Sequence, residues 1–182
     1  PGDYVAVMGM GAIALIAAQM AKAAGASRVV MCGCESDIGV RLATAERLGC
    51  CDRFIHVQKE DTAAVIYDET GHIGADVVVE ASGAEAAIGN AILSARKTGR
   101  ICAIGLTAKE KVSIPWNVAM QKVLDIQFNM SSSYNGWCMA LKMLESGVLS
   151  VEEMIRVMKL EEWESAFSKL ERGEAIKILL EC

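Results

Sequence analysis

A glycine-rich segment between two apolar runs constrains the fold of this chain more than any other feature. It reads Gly9-Met10-Gly11-Ala12-Ile13-Ala14. Before it, residues 4–8 form a short apolar run that predicts a buried strand. After it, apolar residues recur at helical spacing over residues 11–24, and Gly25 marks the end of the predicted helix. A strand, a glycine turn and a helix in this order are typical of an α/β unit.

The same alternation continues along most of the chain. Strands that are apolar throughout, rather than alternating, indicate burial on both faces of a parallel sheet. We therefore predict an α/β protein with a Rossmann doubly wound parallel sheet of about six strands, followed by a C-terminal helical segment. Further strands are predicted at residues 28–32, 53–57, 75–80, 100–104 and 124–128. Helices are predicted up to about residue 48 and at residues 61–69, 84–95 and 117–123.

The glycine segment also predicts a ligand. G-x-G-x-x-A between the first strand and the first helix is the pattern of a dinucleotide-binding turn. Gly9 permits the tight turn, Gly11 lets a pyrophosphate approach the backbone, and Ala14 permits close packing of helix and strand. The N–H groups and dipole of the helix would hold the phosphates. The alternative is that the glycines only permit a tight turn in another α/β protein.

The end of the second predicted strand bears on the choice of cofactor. Proteins that bind NAD often carry an acid there, which accepts a hydrogen bond from the ribose 2′-hydroxyl. In this chain the strand ends at Gly33, and Cys34, Glu35, Ser36 and Asp37 follow. Two acids in the loop slightly favour NAD over NADP, because a 2′-phosphate would need a well-placed cation. Alternatively, both acids are solvated.

Two further turns belong to the predicted site, because ligands of open α/β sheets bind at the carboxyl ends of the strands. These turns are residues 81–83, after the fourth strand, and residues 105–106, after the fifth. The alternative is that both are ordinary polar loops.

Composition excludes several other classes of protein. Lys and Arg total 18 against 23 Asp and Glu, a net charge of -5, so neither nucleic acid nor a membrane surface is an expected partner. Seven cysteines without a C-x-x-C pair favour a reducing, cytoplasmic location. The short-chain reductase motif Tyr-x-x-x-Lys is missing at every tyrosine. Because the chain starts at Pro1, we expect it to be a piece of a longer protein.

Segments spread over the whole chain carry a resemblance to a known family. They are Pro1-Gly2-Asp3, the glycine turn, Arg41-Leu42, Leu48-Gly49, residues 77–83, Gly99-Arg100, Ile104-Gly105-Leu106 and residues 174–181. The sequence resembles the cofactor-binding half of the zinc-type medium-chain dehydrogenase/reductase family, in particular its polyol branch, with the sorbitol (L-iditol) and threonine dehydrogenases.

The resemblance implies an NAD(P)-dependent dehydrogenase that transfers hydride between a secondary alcohol and nicotinamide. It places Gly9, Gly11, Ala12 and Ile13 at the pyrophosphate and Arg41 near the adenosine ribose. The candidate cofactor-binding residues are Gly9, Gly11, Ala12, Ile13, Gly33, Cys34, Arg41, Ala81, Ser82, Gly105, Leu106 and Ser131. Ala81, Ser82, Gly105 and Leu106 would line the nicotinamide side.

The sequence departs from the family pattern at two of these positions. Gly33 replaces the acid that selects NAD, and Ser131 lies in a serine run where polyol dehydrogenases often have arginine. Neither His56 nor His72 stands in a zinc motif, so no metal ligand or catalytic residue is predicted here. The resemblance places the catalytic zinc in an N-terminal domain that this chain lacks, and we expect the chain alone to be inactive.

The pattern changes after residue 131, which predicts two parts with different roles. Residues 1–131 form the predicted NAD(P)-binding domain. Residues 132–182, with amphipathic helices around Trp137 and Trp163 and a last strand at 177–180, would pack on the missing catalytic domain. Without that partner we expect the chain to form a homo-oligomer. The alternative function is a non-catalytic module that senses NAD(H).

Overall fold

Six parallel strands form the central sheet of the protein, which a computed structural model describes over residues 1–182. They are Tyr4–Met8 (β1), Arg28–Gly33 (β2), Arg53–His56 (β3), Ala75–Glu80 (β4), Ala95–Ala103 (β5) and Asp125–Phe128 (β6). Their order across the sheet is β3-β2-β1-β4-β5-β6, and each neighbouring pair is parallel. The predicted six-stranded, doubly wound sheet is confirmed.

Helices cover both faces of this sheet. Ala12–Ala23 (α1) and Val40–Arg47 (α2) contribute to the apolar core on one face. Thr62–Glu69 (α3), Glu85–Ser94 (α4) and Trp116–Gln121 (α5) contribute to the core on the other. Because β1 is enclosed from both sides, all five of its residues are buried, as its unbroken apolar sequence predicts.

The chain changes direction across the sheet between β1 and β4. From β1 it proceeds outward through β2 to β3, and it then returns to the other side of β1 to form β4, β5 and β6. Since every strand runs the same way, all the turns that follow the strands lie at one edge. A ligand crevice is expected at such a reversal of strand order.

The C-terminal segment adds two helices and a second, smaller sheet. It comprises Tyr134–Glu145 (α6), Ile155–Lys159 (β7), Trp163–Glu171 (α7) and Lys177–Glu181 (β8), with β7 and β8 paired in parallel. Gln19 on α1 holds the segment through two hydrogen bonds with the backbone of Ser150, of 2.9 and 3.1 Å. Met154 adds an apolar contact, because it is buried in the core that includes α1. None of the protein's helices has both the length and the apolar character needed to cross a bilayer.

The structure differs from the predicted strands and helices at two places. The strand β7 was not predicted; its sequence Ile-Arg-Val-Met-Lys is neither apolar throughout nor regularly alternating, and only Met158 among its residues is buried. The strand β5 begins at Ala95, where a helix end was predicted, because the backbone of Ala95 is extended and pairs with Ala75 before an irregularity in the register.

A polar network joins the amino-terminal ends of three strands. The Glu69 carboxylate on α3 accepts hydrogen bonds from the Tyr4 hydroxyl (2.9 Å), from Arg28 Nε (2.7 Å) and from Arg53 Nη1 (2.6 Å). Burial alone would raise the pKa of Glu69, but the hydrogen bonds from Arg28, Tyr4 and Arg53 outweigh it and hold that pKa below its ordinary value. The carboxylate thus links β1, β2 and β3 to α3.

We predict that Glu69→Gln lowers the free energy of unfolding by about 2 kcal/mol at pH 7, because charge-assisted hydrogen bonds are replaced by weaker ones. A lowered folded-state pKa means that this contribution is complete above the ordinary glutamate pKa of about 4.3 and is lost as the pH falls further. Urea unfolding of both proteins from pH 7 to pH 3 measures it. Asp68→Asn, on the exposed side of α3, is the control and should cost little; an equal loss in both variants would contradict the account.

Candidate functional site

The glycine turn joins β1 to α1 at the carboxyl edge of the sheet. Gly9 has a φ of +121°, a conformation that favours glycine, and a Cβ there would lie 3.3 Å from Ser82 Cβ in the turn after β4. Gly11 precedes α1 with a φ of −73°, and a Cβ there would meet no protein atom within 4 Å. Gly9 is therefore required by the fold, whereas nothing in the chain itself requires glycine at position 11.

The start of α1 presents unpaired backbone donors beside Gly11. No side chain caps the helix, and its first turn contains no acidic residue. The first N–H groups of a helix have no partner within the helix and carry its positive partial charge. Ala12 and Ile13 lie in this first turn, and the Ile13 side chain is exposed. The turn can therefore accept an anion against bare backbone.

At the end of β2, a carboxylate from the following loop covers Gly33. Residues 35–37 form a short 3-10 turn that directs Asp37 back toward the strand, where Oδ2 lies 2.9 Å from the position of a Cβ on Gly33. Asp37 is only 5% exposed and accepts hydrogen bonds from Cys34 N (2.8 Å) and Arg41 Nη1 (2.6 Å). A carboxylate therefore lies at the end of β2, although residue 33 itself is a glycine.

Glu35, the other acid of this loop, pairs with side chains of β3 and the turn after it. Its carboxylate accepts a hydrogen bond from Lys59 Nζ at 2.8 Å and lies 2.9 Å from His56 Nε2. The hydrogen bonds with Lys59 and His56 lower the pKa of Glu35. The sequence alone does not distinguish Glu35 from Asp37, and only the fold of the loop shows that their partners differ.

The turns after β4 and β5 are in direct backbone contact. Gly83 has a φ of +71°, and a Cβ on it would overlap the carbonyl group of Leu106. A Cβ on Gly105 would overlap the backbone nitrogen of Gly83 and would lie 2.5 Å from Glu80 Oε2. The side chain of Leu106 itself is 79% exposed. The two turns can approach this closely only because each contributes a glycine.

Glu80, the last residue of β4, was not among the predicted site residues. Its side chain is 2% exposed, and its Oε1 accepts hydrogen bonds from Ser82 N (3.0 Å), Ser82 Oγ (2.7 Å) and Gly83 N (3.0 Å). A glutamate that ends an otherwise apolar strand and precedes Ser-Gly was the available signal. Beside it lies a largely apolar cavity of about 680 Å³, whose lining also includes Gly105 and Leu106.

The structure brings most of the predicted site residues to one edge of the sheet. The candidates Gly9, Gly11, Ala12, Ile13, Gly33, Cys34, Arg41, Ala81, Ser82, Gly105 and Leu106 follow β1, β2, β4 or β5 at their carboxyl ends. Ser131 lies three residues beyond β6, the edge strand that is parallel to β5, and its backbone has a positive φ of 63°. The candidates therefore follow strands at the same edge, from β2 to β6.

The chain does not provide a metal site. No group of three or more His, Cys, Asp or Glu side chains is close enough together to hold an ion. His56 is buried against Glu35, His72 lies on the surface, and all seven cysteines are free. Burial raises the pKa of the Cys32 thiol to about 12, so it stays protonated at neutral pH.

The sheet order and the turn geometry define a Rossmann-like α/β domain. Residues 12–146 match the zinc-binding dehydrogenase family. With three quarters of its length inside that match, the chain belongs to this family.

Similar proteins include polyol and alcohol dehydrogenases. The chain is 34% identical over 180 residues to D-arabitol-phosphate dehydrogenase of Enterococcus avium, covering 98% of this chain and 50% of that protein. It is also 34% identical over 180 residues to sorbitol dehydrogenase of Halalkalibacterium halodurans, covering 98% of this chain and 52% of that protein. Among solved structures, alcohol dehydrogenase TADH from Thermus sp. ATN1 superposes with a TM-score of 0.90 at 30% identity, over 100% of this chain and 52% of that one. The chain thus spans about half the length of these relatives.

Proposed function

We propose that this chain is the cofactor-binding part of an NAD(P)-dependent alcohol or polyol dehydrogenase, which transfers hydride between a secondary alcohol and nicotinamide. The observation that carries the proposal is the open space at Gly11. No protein atom lies close enough to require a glycine at this position. A diphosphate in that space would explain the glycine. The similar proteins are named as polyol dehydrogenases, and these names indicate the class of reaction that we propose.

The residues at this edge fit a dinucleotide. The N–H groups of Ala12 and Ile13 would hold the diphosphate, with the positive end of the α1 dipole behind them. One half of the ligand would extend toward Gly33, Cys34 and Arg41, and the other toward the turns after β4 and β5. Bound there, the cofactor supplies the hydride donor or acceptor, and the protein's part is to hold and orient it.

The catalytic zinc expected of this family would be held outside residues 1–182, because no ligand cluster exists within them. The proposed turnover of alcohol therefore needs the remaining half of the enzyme, and this chain alone would bind cofactor without oxidising alcohol. The free cysteines suit a reducing, cytoplasmic setting.

We propose NAD, rather than NADP, as the cofactor. The buried carboxylate of Asp37 places a negative charge at the end of β2, and it already engages Nη1 of Arg41, the nearest arginine after that strand. A 2′-phosphate there would lie near a like charge and would compete with Asp37 for Arg41, whereas a ribose hydroxyl carries no charge. The discrimination acts through charge, since Asp37 is too buried for extensive contact with a ligand.

We predict that Gly11→Leu lowers the affinity for NADH at least about a hundredfold, the equivalent of about 3 kcal/mol, because the side chain fills the space proposed for the diphosphate. The fold should survive, since that space is free of protein atoms. Isothermal titration with NADH measures the affinity. Ala23→Leu, at an exposed position near the other end of α1, is the matched control and should bind as the unsubstituted chain does; unchanged binding by Gly11→Leu would move the site elsewhere.

We predict that Asp37→Ser raises the affinity for NADPH about tenfold relative to NADH, because it removes the repelling charge and frees Arg41 to pair with a phosphate. Parallel titrations with NADH and NADPH measure the ratio. Glu35→Gln serves as the control, because Glu35 is already engaged by Lys59 and His56 and should not affect the ratio. Equal affinity of the unsubstituted chain for both cofactors would refute the role given to Asp37.

We also propose that this chain self-associates when the rest of the enzyme is missing. Apolar side chains on and after the edge strand β6 are exposed, among them Phe128, Met130 and Trp137. An exposed edge strand and a cluster of exposed apolar side chains both favour association. Sedimentation velocity should show a mean mass that rises with concentration, and less so for Phe128→Glu. A monomer at every concentration would contradict this proposal.

A further inference from the structure

Glu80 is a buried carboxylate with no cation beside it. Its side chain is 2% exposed, and three donors from Ser82 and Gly83 reach its Oε1, but no ion pair of the protein includes it. Burying an ionised carboxylate without a counter-charge is costly even when hydrogen bonds satisfy it. An apolar side chain at the end of β4 would cost less to bury than a carboxylate. The stability of the core therefore does not explain the glutamate at this position.

The contacts of Glu80 lie on both of the turns at this part of the edge. Its side chain holds the turn after β4 through Ser82 and Gly83. Its backbone carbonyl accepts hydrogen bonds from Ile104 N (2.8 Å) and Gly105 N (2.9 Å), at the start of the turn after β5. Oε2 is close enough to Gly105 to leave no room for a Cβ there. The side chain of Glu80 therefore holds the turn after β4 beside Gly105, while its backbone joins the start of the turn after β5 to β4.

These two turns lie on only one side of the glycine turn. In the sheet, β2 and β3 are on one side of β1, whereas β4 and β5 are on the other. A dinucleotide whose diphosphate lies at the β1–α1 turn would place one nucleoside toward β2 and the other toward β4 and β5. The ribose-selective acid belongs at the end of β2, so the adenosine lies on that side and the nicotinamide lies beside the Glu80 turns.

We propose that Glu80 is a positioning residue for the nicotinamide half of the cofactor. By holding the turns after β4 and β5 together, it fixes the backbone groups of Ala81, Ser82, Gly105 and Leu106 in one arrangement before the ligand binds. Preorganisation of this kind lowers the cost of ordering a site on binding. The inference rests on the proposed function, because it needs a dinucleotide at this edge.

The test compares NADH with ADP as probes in isothermal titrations of the 182-residue chain. ADP carries only the adenosine and the diphosphate, so it reports the glycine turn and the β2 side, whereas NADH also reports the β4 and β5 turns. Glu80→Ala should lower the affinity for NADH about tenfold and leave that for ADP within about twofold. Glu80→Gln keeps an acceptor for the turn and should recover part of the loss. Because Glu80→Gln preserves the shape of the side chain, it keeps the test valid should Glu80→Ala not fold.

Glu85→Gln on α4 is the control for the loss of one negative charge nearby, and it should change neither affinity. Equal losses for NADH and ADP in the Glu80 variants would show a general structural role and overturn the proposal, as would unchanged affinity for NADH. If the unsubstituted chain binds ADP and NADH equally tightly, the nicotinamide half makes no contact and the proposal fails while the diphosphate site stands. If it binds neither, the proposed function fails first, and this inference with it.

Discussion

Turns at the carboxyl edge of this protein's sheet lie close together because glycines let one backbone approach the next. The shape of this edge depends on these contacts. Gly9 lies against Ser82, Gly83 against Leu106, and Gly105 against Gly83. These contacts draw the turns after β1, β4 and β5 into one surface. Gly11 differs, since its bare backbone faces open space rather than protein. Of these four glycines, only Gly11 lies at the place where we propose that a ligand's phosphates are held.

Two buried carboxylates organise the two ends of this edge in different ways. Asp37 is paired with Arg41, so a cation of the protein balances its charge. Oε1 of Glu80 has no cation beside it and accepts hydrogen bonds from the N–H and O–H groups of Ser82 and Gly83. Each carboxylate thus ties the loop that follows its strand, on either side of the glycine turn.

The sequence was sufficient for the main sheet because local patterns determine it. Short runs rich in apolar residues predicted all six strands of that sheet, and the G-x-G-x-x-A segment lies between β1 and α1 as expected. The position of Asp37 against Gly33 was not predictable from the sequence, because it depends on the three-residue turn and on the absence of a side chain at Gly33. The role of Glu80 and the strand β7 were missed for a similar reason: each depends on partners distant in sequence or on a neighbouring turn, and not on a periodic pattern. The division at residue 131 remains a prediction.

The central claim is that a diphosphate binds to the backbone at the start of α1. A crystal structure of this chain with NADH tests it most directly. The account predicts phosphate oxygens within hydrogen-bond distance of the Ala12 and Ile13 nitrogens, with the adenosine toward Gly33 and the nicotinamide toward Gly105. Phosphates bound at another part of the protein, with the space at Gly11 left to solvent, would contradict it.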